Sequence, residues 1–63
     1  MIYIVETSKG CKRPVPSEIT KRADVSIEDD FFEWAFKTKK DAEAGVIAFI
    51  EAGFDSVRRR SWL

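Results

Sequence analysis

The sequence predicts an α+β domain: a small, single-layer, mostly antiparallel sheet with one helix packed on one face, in the order ββ(β)βαβ. Three observations carry that expectation. Residues 39–52 place apolar side chains at helical spacing between a capping threonine and a glycine; Phe32, Trp34 and Phe36 alternate with Glu33 and Ala35; and short runs rich in Ile, Val and Tyr are bounded by turn residues. At 63 residues the chain makes one domain with no linker or internal repeat. A chain of that size buries only about 60% of its unfolded surface, so its stability is marginal unless it associates, and a homodimer is one way to do so.

Residues 1–7 read as the first strand and Ser8-Lys9-Gly10 as its turn. Residues 11–15 would then return as a short antiparallel edge strand, where Pro14 and Pro16 lose no ladder hydrogen bond. Residues 17–22 fit either a loop or one helical turn. Ala23, Val25 and Ile27 alternate as a further short strand, with Glu28-Asp29-Asp30 turning into the aromatic run. For residues 27–37 a helix capped by Ser26 competes with a strand. The strand is favoured, because aromatics suit a pleated surface and Thr38 is a short link to the helix that follows.

That helix is expected over about Lys39 to Ala52. Thr38 is its N-cap, with Asp41 three residues on in the positive first turn. Ala42, Gly45, Val46, Phe49 and Ile50 fall on one stripe, with Ile47 on its flank and Ala44, Ala48 and Glu51 opposite. Gly45 weakens a helix by about 1 kcal/mol relative to Ala, which makes sense where backbone approaches a neighbour closely. Gly53 suits the left-handed C′ position, and Phe54 at C″ is placed to touch Phe49. A last strand follows from Val57.

Composition excludes several functions. The chain has no His, Asn or Gln, so it lacks the usual general base at neutral pH and the usual side-chain amide of an oxyanion hole; no enzyme is expected. A single cysteine, Cys11, makes no internal disulfide and, without a histidine, no zinc site. Glu28, Asp29, Asp30 and Glu33 lack the glycine and spacing of a calcium loop, and Gly10, Gly45 and Gly53 form no phosphate-binding pattern, so no cofactor is expected. Residues 1–5 are too short for the apolar core of a signal peptide, and no apolar stretch reaches membrane-span length. A cytoplasmic protein is the expectation.

One helix covers one face of a sheet, so function is expected on the other. If Val57 points at the helix, alternation sends Arg58, Arg60 and Trp62 to the open face, with Phe31, Glu33 and Ala35 from the aromatic strand. Arg59 points the other way. The candidate protein-binding residues are therefore Arg58, Arg60, Trp62, Glu33 and Phe31, since Trp and Arg dominate interface energetics, and the expected partner is a larger protein with an acidic patch. The competing structural reading has Arg58 and Arg60 paired with Glu33 or other acids on a solvated face.

An alternative basic patch comprises Lys9, Lys12, Arg13 and Arg59, with Lys21 and Arg22 nearby in sequence. It would serve a backbone-directed nucleic-acid binder, with Trp62 or Phe31 as stacking platforms. Net charge is zero, so this is the second reading, and it requires the clusters to converge in space.

In its βαβ half the chain is similar to the phage T7-type inhibitor of bacterial RNA polymerase, which also runs from a strand through a helix to an Ala-Gly-Phe-acid turn and an arginine-bearing strand. The matching residues are Ala52-Gly53-Phe54-Asp55 with Arg58 and Arg60. The first half carries no such likeness, and the family is not claimed. Tiny compact domains with no catalytic inventory are common in phages and mobile elements, so the expectation is a small viral or mobile-element inhibitor or adaptor that docks on a host macromolecular machine.

Overall fold

A computed structural model of the chain describes residues 1–60 and Trp62. Its elements are β1 (Tyr3–Thr7), α1 (Ser17–Arg22), β2 (Ala23–Ile27), β3 (Phe32–Phe36), α2 (Lys39–Ala52) and β4 (Val57–Arg60). The strands form one sheet in the order β2-β3-β1-β4, with every neighbouring pair antiparallel. The α+β class and the single main helix on one face are as the sequence predicts.

The helix ends follow from their residues. Thr38 is extended, and its hydroxyl accepts the Asp41 amide at 3.1 Å, closing the N-cap. At the other end Gly53 has φ +85°, its amide reaches the Ile50 carbonyl, and the Phe54 amide reaches that of Phe49 at 3.4 Å. These two bonds are the Schellman pair, and the accompanying apolar contact is present, with Phe49 and Phe54 edge to face at 5.7 Å.

Alternation along β1 and β3 fixes the core. Tyr3 faces Phe36, Val5 faces Trp34 and Thr7 faces Phe32, all on the side α2 covers. Val5, Trp34, Phe36, Ala42, Val46 and Phe49 form the centre, with Trp34 and Phe49 rings tilted at 4.5 Å. Gly45 is where the helix comes closest to the sheet: a β-carbon there would lie 2.5 Å from the ζ carbon of Phe36. Thr7 is the buried polar residue of this core, and its hydroxyl accepts the Trp34 indole N–H at 2.9 Å. That bond removes the penalty of burying two polar groups unpaired.

Three expectations are corrected. Residues 11–15 do not return as a strand; no hairpin follows β1, and the order is βαββαβ. The segment crosses the C-terminal end of α2 instead, because its donors are taken there: the Lys12 and Arg13 amides both bond the Ala52 carbonyl, at 2.8 and 2.9 Å. Those bonds satisfy an orphan carbonyl of the helix end, and β1 pairs with β3 and β4. Residues 17–22, left between loop and helical turn by the sequence, form the short helix α1.

The stripe of α2 is also rotated from its expected centre. Ile50 is 61% exposed, whereas Ala48 and Ala52 are buried. Ala48 lies on the flank that carries Asp41, and Arg22 at the end of α1 reaches Asp41 at 3.0 Å. The small helix thus covers that flank, and the buried stripe of α2 extends towards it. Third, Trp62 leaves the face of Arg58 and Arg60. The strand ends at Arg60, alternation ends with it, and the indole turns to Tyr3, edge to face at 5.9 Å, donating to the Ile4 carbonyl at 2.8 Å.

Candidate functional site

The side of the sheet away from α2 is lined, by register, with Asp24 and Ser26 from β2, Glu33 and Ala35 from β3, Ile4 and Glu6 from β1, and Arg58 and Arg60 from β4. Arg58 and Arg60 share this face, as predicted, opposite Glu6 and Ile4 respectively. Their environments differ. The Arg60 guanidinium bonds Glu6 at 3.1 Å and also Glu33, so one cation bridges two carboxylates that stand directly opposite each other across β1 and β3. Arg58 is exposed and makes no ion pair among the described residues.

Arg58 borders an open recess of about 200 Å³ with Phe31, Asp30, Glu6, Ser8 and Ser56. The ends of β1 and β4 are stapled to one another along its lining. The Ser8 hydroxyl accepts the amides of Asp55 and Ser56 at 3.0 and 3.3 Å, and the Ser8 amide donates to the Ser56 carbonyl at 3.0 Å. Phe31 is half-buried just before β3, and its carbonyl accepts the Glu28 amide at 3.0 Å across the β2–β3 turn. Sequence reasoning named Phe31 and Arg58 but missed Ser8. Its position straight after a strand, with Ser56 just before another, is a weak signal until the two strands are known to pair.

Of the five residues proposed for protein binding, Phe31 and Arg58 come together at the recess, Glu33 and Arg60 are tied to each other and to Glu6, and Trp62 lies elsewhere. Trp62 is half-buried against the core, and the Arg59 guanidinium stacks over its ring at 5.2 Å. The buried anchor expected on the open face is thus spent inside the fold.

The alternative basic residues have local partners of their own. Lys12 lays its stem along Gly53, and the Arg13 guanidinium donates to the Glu51 carbonyl at 3.3 Å, so both sit at the negative end of α2. Lys9 stands over the Phe32 ring at 5.9 Å. Arg59 is on the covered side of β4, opposite Val5 and beside Trp62 at the Tyr3 end of the sheet. Lys12 and Arg13 share the end of α2, whereas Arg59 stacks on Trp62. Arg22 is held by Asp41.

Among the described residues no three of the Cys, Asp and Glu side chains gather into a potential metal site, and no helix is long and apolar enough to cross a membrane. Cys11 is an exposed free thiol in the loop before α1. No family model, curated protein or solved structure matches the chain. The similarity over the Ala52-Gly53-Phe54-Asp55 turn therefore stands on those residues alone, and the turn itself is the Schellman end of α2.

Proposed function

We propose that this chain is a small non-enzymatic protein-binding module, acting in the cytoplasm, that docks its open sheet face on a larger protein as an inhibitor or adaptor. The observation that carries the reading is the pairing of an exposed arginine, without an ion pair among the described residues, with a half-buried phenylalanine at a recess: Arg58 and Phe31. Arg offers a bidentate fork to a carboxylate, and an aromatic beside it excludes water from that contact. Because Arg60 is already neutralised by two glutamates, and Asp24, Glu6 and Glu33 share the face, the acidic feature recognised on the partner contracts from a broad patch to one carboxylate received by Arg58.

Backbone-directed nucleic-acid binding is the second reading. It is disfavoured by the separate employment of Lys9, Arg13 and Arg59 and by a zero net charge. The test is capture from lysate by the immobilised chain, with and without nuclease, comparing wild type with Arg58→Ala and Phe31→Ala. A protein retained after nuclease treatment, and bound at least tenfold more weakly by both variants, supports the reading; tenfold corresponds to about 1.4 kcal/mol. Undiminished capture by both folded variants removes the recess from the function. Capture lost with nuclease moves the second reading to first place.

A further inference from the structure

The outer edge of β2 is built differently from the other edge of the sheet. β4 carries three arginines, whereas β2 is Ala-Asp-Val-Ser-Ile with no lysine, no proline and no break in its register with β3. Edges of that kind are normally blunted, because their free amides and carbonyls template another strand. On the covered side α2 lies over β1, β3 and β4, which leaves Val25 48% and Ile27 72% exposed. What flanks the strand is as informative as the strand. Lys21 and Arg22 precede it; Glu28, Asp29 and Asp30 follow it.

We infer that β2 pairs with β2 of a second copy of this chain, antiparallel about a two-fold axis at Val25, to give a continuous eight-stranded sheet with both copies of α2 on one side. Charge complementarity selects the occupant and the register. With the axis at Val25, that residue faces itself, Asp24 faces Ser26 of the second copy, and Ala23 faces Ile27. Beyond the strand, Lys21 at the end of α1 comes to the end of the edge that carries Glu28 and Asp29 of the second copy, while Arg22 keeps its bond to Asp41, and the two-fold makes this contact twice. A slip of one residue would set the covered side of one copy against the open side of the other. A slip of two residues either sets Asp24 against itself or sets Asp24 against Glu28, and like charges directly opposite are destabilising. Val25 and Ile27 meanwhile gain apolar neighbours on the covered side. Five paired residues fall short of a standard interface, so the dimer is weak and concentration-dependent.

Sedimentation equilibrium of the full chain tests this. The mass of wild type is expected to rise from 7.2 kDa towards twice that value as concentration reaches hundreds of micromolar. Lys21→Glu and Asp29→Lys should each self-associate at least tenfold more weakly while keeping the wild-type circular dichroism spectrum. Mixed in equal amounts they should dimerise again, since each supplies the sign the other lacks. In a Cys11→Ser background, Val25→Cys should cross-link on oxidation and Ile27→Cys should not, because only residue 25 faces its own copy, at a Cα separation of about 4.5–5.5 Å that a disulfide spans. The inference is overturned by a wild-type chain that stays monomeric at millimolar concentration, by single variants that associate as wild type does, by a mixture that fails to recover, or by cross-linking at residue 27 equal to that at residue 25. Loss of the dimer in Ile47→Lys/Ile50→Lys would also overturn it by assigning the contact to the exposed ridge of α2.

Discussion

On the covered side of β1 and β3, Val5 stands opposite Trp34 and both are sealed by Phe49; one residue along, on the open side, Glu6 stands opposite Glu33 and both are bridged by Arg60. The same two strands thus hold two unlike cross-strand pairs. The first works by removing apolar surface from water and tolerates neither a gap nor an extra atom. The second is solvated, and its attraction largely offsets a repulsion the register itself created. Stability is therefore concentrated on one side of a thin sheet, and the other side is free to change without unfolding the domain.

Substitutions on the covered side should break this contrast hardest. Phe49 is fully buried, touches Trp34, Phe36 and Phe54, and anchors the Schellman end of α2. Phe49→Ala is expected to cost about 3–5 kcal/mol, a large part of the total stability of a domain this size. Thermal denaturation should show either a chain unfolded at room temperature or a steep drop in midpoint. A midpoint within a few degrees of wild type would mean that the core is not centred there.

Gly45→Ala sets two effects against each other. Alanine adds up to about 1 kcal/mol of helix propensity, but its β-carbon would lie 2.5 Å from the Phe36 ring. That ring is fully buried and has nowhere to move, so overpacking of about 1–3 kcal/mol should win and the variant should be less stable than wild type. Urea denaturation decides the sign. Thr7→Val comes next, at about 1–3 kcal/mol, because it keeps shape but leaves the buried Trp34 indole N–H without an acceptor. Thr7→Ser, which retains the hydroxyl, should recover part of the loss in the same titration.

These residues also mark how far the sequence was legible. Thr38, Asp41, Gly53 and Phe54 announce the ends of α2 because capping is local: the donor and acceptor lie within a few residues of one another. The alternation of Phe32, Trp34 and Phe36 is local too, and gives the covered side of β3 and, with Arg58 and Arg60, the parity of β4. What was not legible depends on distant chain. The donors of Lys12 and Arg13 find Ala52, the flank of Ala48 is covered by α1, and the indole of Trp34 finds Thr7, each across many residues that no periodicity encodes. Trp62 departs from the open side for a related reason: alternation holds only to Arg60, where the strand ends. In the candidate site, the same locality made Arg58 readable as an open-side residue, whereas the distinction between it and Arg60 required knowing that β1 brings Glu6 beside Glu33.

The smallest expected effect sharpens the comparison most, because it isolates that distinction on the open side. Arg58→Ala should leave the denaturation midpoint unchanged, since Arg58 has no ion-pair partner among the described residues. Arg60→Ala removes the cation between two carboxylates held opposite by register, and it should cost up to about 1 kcal/mol, more than an isolated surface pair usually contributes. Two companion measurements probe this balance, and the second separates attraction lost from repulsion exposed. Added salt screens like charges, so the deficit of Arg60→Ala should shrink as ionic strength rises. In the second, Arg60→Ala/Glu33→Gln, which deletes one of the facing charges along with the bridge, should regain most of the stability lost by Arg60→Ala alone. If the double variant is no more stable than the single one at low salt, the Glu6–Glu33 repulsion is not what Arg60 offsets, and the guanidinium then contributes through the packing of its stem on Ile4.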